Sequence, residues 1–198
     1  MINMEQNFNP DTGDDAESQE ARVLEKLPLI EQWIDATIEQ YHEQAVSVES
    51  FGFKHLKDFY SDDLLHNSKV VVVDEVPKPP LASEFGLVDL QGFEDLNAQG
   101  ITYKDTYFVS TLESKAESLH FHELVHIVQW QYLNAENFLG EYAKSLLRDG
   151  YSGSVFEIMA RKHQERFNAY LAGDNDAIPY NIEIAVQDEL KELFPDLV

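Results

Sequence analysis

Two histidines four residues apart, His122 and His126, flank Glu123 in the run Ser114 to Tyr132 (SKAESLHFHELVHIVQWQY), which holds no Gly or Pro. Such a run reads as helix, and in a helix positions i and i+4 lie on one face, one above the other. Two imidazoles so placed can converge on one cation. Glu123 projects about 100° from His122 and about 60° from His126, which suits a carboxylate that reaches a metal-bound water rather than the metal. Leu119, His122, His126, Gln129 and Leu133 share one stripe, while Phe121, Leu124, Val125, Val128 and Tyr132 form a second, mostly apolar stripe that can face a core. Ser114 followed by Glu117 fits a capping box at the helix start.

The spacing is HExxH, whose mechanics are two zinc-binding histidines and a general-base Glu. The chain has no cysteine, so a disulfide framework and a thiolate nucleophile are excluded, and a zinc site must use His and carboxylate ligands. A catalytic zinc takes three protein ligands and leaves a position for water. The extension that would add a third His is absent, because Asn134 and Ala135 occupy that region. The downstream carboxylates are Glu136, Glu141, Asp149, Glu157 and Glu165. Glu157 is the expected third ligand: it lies in Val155-Phe156-Glu157-Ile158-Met159-Ala160, an apolar setting where an unpaired carboxylate is costly. Its ordinary alternative is a first-turn carboxylate favoured by the helix dipole. Glu141 is the runner-up. His163, centred on the face of Val155, Phe156, Met159, Phe167 and Tyr170, is either a satisfied core histidine or a group near the metal. His120 points away from the His122/His126 stripe and is not expected to be a ligand.

At 198 residues the chain is long enough for one domain with its own core. Residues 1–20 are polar and acidic and read as a flexible tail, leaving 21–198 as a single domain. The net charge of −23 argues against nucleic acid and against anionic membranes as partners. No run is apolar and long enough to span a bilayer, and the N-terminus lacks a secretory pattern, so cytoplasmic residence is the default expectation, with non-classical export left open. Helical spacing runs from Ala21 to Val48, with Pro28 in its first turn or at a break before it. Lys69–Val73 is a β-branched strand candidate, residues 85–98 a strand and a turn, and Ile101–Ser110 a strand. After a loop beyond Leu133 come a helix over 136–147, a turn over 149–153, a helix capped by Ser154 running to Leu171, and a last helix over 182–193. Helix, then strands, then a helical C-terminal half reads as α+β with a small sheet.

The chain resembles the gluzincin group of zinc metallopeptidases through His122, Glu123 and His126, followed by Phe156-Glu157-Ile158-Met159-Ala160 on a later helix, and the strand 101–110 resembles the edge strand along the cleft of such enzymes. The likeness covers roughly residues 100–171. It implies a zincin-like fold, Zn2+ on His122, His126 and Glu157, Glu123 as general base and a peptide or protein substrate. The oxyanion donor then comes from Tyr151, Tyr142, Tyr107 or His163, in that order. One departure is Arg161: several gluzincins carry there an acidic residue that buttresses a ligand His, so support for the histidines must come from elsewhere. A zinc hydrolase of a non-peptide substrate, and an inactive zincin-like domain that binds a protein partner, remain the alternatives.

Overall fold

The computed structural model describes residues 12–197. The architecture is mixed α/β: helix α1 (Thr12–Tyr41), strand β1 (Val46–Ser47), helix α2 (Asp62–Asn67), strand β2 (Lys69–Val73), the short helix α3 (Gln91–Glu94), strands β3 (Gly100–Tyr103) and β4 (Thr106–Ser110), then helices α4 (Glu117–Gly153), α5 (Val155–Leu171) and α6 (Ile182–Leu193). The four strands make one mixed sheet in the order β1-β2-β4-β3. β2 runs parallel to β4, with Val71 opposite Phe108, and both edge strands are antiparallel to their neighbours. No helix among the described residues is long and apolar enough to cross a membrane.

β2, α5 and the C-terminal helix fall where residue pattern places them. Other segments differ, each for a physical reason. α1 begins at Thr12, so residues 12–20 of the expected tail are helical, and residues 1–11 lie outside the described residues. The helix runs through Pro28, because Val23 before it and Ile30 and Ile34 after it are buried on one side. Residues 88–94 form short helical turns rather than a strand. The strand expected over 101–110 is a hairpin: β3 and β4 are joined at Lys104, whose φ of 57° reverses the chain without glycine. Lys104 Nζ pairs with Glu31 and Asp35 of α1, which holds that left-handed residue in place.

α4 is the centre of the molecule. From His120 to Trp130 every residue is buried, because the sheet, α1, α5 and α6 all pack around it. Tyr107, Phe108 and Val109 of β4 and Phe121, Leu124 and Val125 of α4 are fully sequestered. Roughly 1.5–3 kcal/mol per large apolar side chain makes this seam the main support of the fold. The capping box does not form: Ser114 Oγ donates to the Thr111 carbonyl, and the Glu117 carboxylate accepts from the amides of His55 and Leu56. A single residue, Asn134 (φ 63°, ψ 171°), interrupts α4 where a loop was expected. Its Oδ1 accepts from the amide of Asn137, so the break also caps the next turns. Gly150 (φ 68°, ψ 177°) makes the second break, in the same region as Asn134 but without the cost of a Cβ, and sets Tyr151 ahead of α5.

Candidate metal centre

α4 brings His122 and His126 onto one face, and α5, folded back after Gly150, brings Glu157 against them. His122 Nε2 and His126 Nε2 lie 3.1 Å apart. Glu157 Oε2 is 3.5 Å from His122 Nε2, and Glu157 Oε1 is 3.3 Å from His126 Nε2. All three residues are buried and can each turn one ligand atom to a common point. Donors about 2.05 Å from a tetrahedral zinc lie about 3.3 Å from one another, so the triangle has the size such an ion needs.

The hydrogen bonds behind the histidines fix what the triangle offers. His122 Nδ1 is 3.1 Å from Gln164 Oε1, and His126 Nδ1 is 2.8 Å from Gln129 Oε1. Both amides are oriented by their other ends: Gln164 Nε2 donates to the Ser118 carbonyl at 3.0 Å, and Gln129 Nε2 to the Phe156 carbonyl at 3.1 Å. Each glutamine therefore shows an oxygen to its histidine, each Nδ1 carries a proton, and Nε2 is the atom each ring aims inward, a lone pair whenever that ring is neutral. Two imidazole Nε2 atoms and a carboxylate face one another, and among the described residues buried Glu157 Oε2 has no hydrogen-bond partner. One proton satisfies one edge of this triangle, whereas an ion at its centre satisfies all three. With the centre empty, burial alone would push the His126 imidazole down, but the Glu157 carboxylate overrides it and pushes it up to about 9. Burial likewise opposes ionisation of Glu157, yet the two imidazoles hold its carboxyl well below the usual range.

Glu123 is buried beside this group without joining it. Burial pushes its carboxyl up, against the pull of His122, His126 and the Thr102 hydroxyl, the direction that makes a carboxylate a better base. Two cavities meet at these residues. One is an open cleft of about 710 Å³ counted out to solvent, lined by His122, Glu123, Glu157, Tyr151, Arg161 and Gln164 with the 96–100 segment. The other is largely apolar, about 850 Å³ counted out to solvent, and runs behind Glu123, His126 and Glu157 between α1 (Leu27, Ile30, Ile34), Phe93 and the Trp130–Leu146 stretch of α4.

The remaining candidates separate cleanly. Tyr151 lines both cavities, and burial followed by the Glu157 charge pushes its phenol up, so it stays a proton donor. Tyr142 donates to Glu157 Oε1 at 2.9 Å and so orients the Glu157 carboxylate. Tyr107 lies elsewhere, with its hydroxyl 2.7 Å from His120 Nδ1. His163 lines neither cavity and pairs through Nδ1 with the Tyr180 hydroxyl at 2.6 Å. Glu141 pairs with Lys144 at 2.7 Å. Ser154 makes no side-chain cap on α5. Arg161 lies 3.6 Å from Glu157 Oε2 and buttresses neither histidine. Residue reading missed the roles of Gln129 and Gln164. Gln129 shares the His122/His126 stripe, which was a usable signal, whereas Gln164 meets His122 only through the packing of α5 on α4.

No family model, curated protein or solved structure matches this chain.

Proposed function

We propose that this protein is a zinc-dependent peptidase of zincin-like type, with Zn2+ held by His122, His126 and Glu157. The observation that carries the reading is the buried triangle of two inward imidazole Nε2 atoms and a carboxylate, with Glu123 beside it and lining the same cleft. Held by these three residues, zinc would supply an acidified water and a Lewis acid for a carbonyl. Glu123 takes the proton of the attacking water and later delivers it to the leaving amine. Tyr151, protonated and at the cleft, donates to the oxyanion. The apolar cavity behind the triangle supports a substrate that presents a large apolar side chain.

The test is zinc-loaded protein incubated with a mixed peptide library read by mass spectrometry. Chelator-sensitive cleavage beside large apolar residues is expected, and Glu123→Gln should abolish it with zinc retained. Cleavage unchanged in Glu123→Gln, or none by the zinc-loaded wild type, would overturn the reading.

A further inference from the structure

Glu123 is held by the β3–β4 hairpin, and the manner of holding distinguishes its two oxygens. Thr102 Oγ1 is 2.7 Å from Glu123 Oε2, and 3.1 Å from the Glu123 carbonyl. A hydroxyl has one proton, and the short, charge-assisted bond to the carboxylate is the stronger claim on it. The Thr102 side chain is buried, and its own carbonyl accepts from Trp130 Nε1 of α4 at 3.1 Å. Residue 102 is therefore pinned to α4 from both its backbone and its side chain. Two residues earlier on the same face of β3 stands Gly100. A Cβ built there would lie 2.8 Å from Glu123 Cδ and closer still to Oε1, a contact no real side chain makes. Gly100 is needed here for space, since its φ is not positive. Among the described residues Glu123 Oε1 makes no hydrogen bond, while Oε2 does.

We infer that Thr102 and Gly100 form a seat for the general base: Thr102 anchors Oε2, and Gly100 leaves the room in which Oε1 meets the water. Thr102 is thus a positioning residue, and Oε1 is the oxygen that exchanges protons. The inference rests on the peptidase reading for its kinetic consequence, but the placement of the carboxylate can be checked without activity. An anchored carboxylate loses little freedom on reaction, and misplacement of a reacting group by about 1 Å costs up to about 100-fold in rate.

The experiment compares Thr102→Val, Thr102→Ser and Gly100→Ala with the wild type, all zinc-loaded, by zinc content, peptide kinetics and crystal structure. Thr102→Val keeps the shape of the buried residue and removes only the hydroxyl. It should retain zinc, lose about 10- to 100-fold in kcat with KM within about twofold, and show the Glu123 carboxylate rotated from its place. Thr102→Ser should restore most of kcat, and Gly100→Ala should displace the carboxylate without loss of zinc. A Glu123 carboxylate unmoved in Thr102→Val would overturn the seat, as would a kcat equal to wild type. If the zinc-loaded wild type cleaves no peptide, the peptidase reading fails while the crystal structures still decide the placement.

Discussion

Replacing Gln164 by leucine tests the chemistry of the proposed metal centre at its most exposed support. Gln164 contributes one acceptor, its Oε1 at 3.1 Å from His122 Nδ1, and two bonds from Nε2 to Ser118. Leucine keeps the bulk and removes all three. The His122 ring then loses the partner that fixes its tautomer and direction, and nothing else among the described residues takes up Nδ1. Loss of such an outer partner weakens metal binding about 10- to 100-fold, equivalent to about 1.4–2.7 kcal/mol. The zinc-free protein should lose about 1–3 kcal/mol, up to three hydrogen bonds at about 1 kcal/mol each, towards the lower end because Gln164 is half-buried. Gln129 is fully buried, and its removal would also take away a second bond to the Phe156 carbonyl and a contact with the Met159 sulfur, so it makes a less clean test. Zinc affinity by competition with a chromophoric chelator, alongside urea unfolding in EDTA, separates the two effects. Affinity within twofold of wild type, with the stability loss intact, would mean that Gln164 merely ties α5 to α4 and would refute the tautomer reasoning.

Further consequences are measurable. Zinc at about 100 times its Kd should stabilise the fold by about 2.7 kcal/mol, raising Tm by about 5–10 °C at the usual 2–4 °C per kcal/mol for this size, with EDTA reversing the rise in calorimetry. Tyr142→Phe removes the 2.9 Å bond to Glu157 Oε1 and should weaken zinc about fivefold, from about 1 kcal/mol, in the same chelator competition. His120, fully buried, is pushed down to about 4, chiefly by burial. The unfolded chain therefore takes up this proton first, near its ordinary 6.5, so the contribution to stability is present above pH 6.5 and lost as pH falls towards 4, by about 3 kcal/mol in all. Urea unfolding at pH 7 and 4.5 should show a smaller drop in His120→Gln than in the wild type, and equal drops would contradict it.

Much of this centre is written locally. His122, Glu123 and His126 lie within one turn and a half of a helix, and Glu157 stands out because a carboxylate amid Phe156, Ile158 and Met159 needs a partner. Local pattern has less to say where tertiary contacts decide. Ile101–Ser110 looks uniformly strand-forming, and the turn at Lys104 is held by Glu31 and Asp35, some seventy residues away. The Ser114–Glu117 capping pattern lost to the amides of His55 and Leu56, which claimed the Glu117 carboxylate from another part of the chain. Asn134 breaks α4 in one residue because its side chain can cap the next segment at once. Thr102 and Gly100 acquire their roles only when the hairpin is laid on α4, and no spacing rule links positions 100, 102 and 123.

The most direct measurement is the metal content of the protein purified without chelator, by inductively coupled plasma mass spectrometry, for the wild type and for His122→Ala, His126→Ala and Glu157→Ala. The account predicts close to one zinc per chain in the wild type and none retained through dialysis in either histidine variant, with Glu157→Ala strongly depleted. A wild type that holds no zinc even after incubation with excess, or histidine variants that hold as much as the wild type, would contradict it.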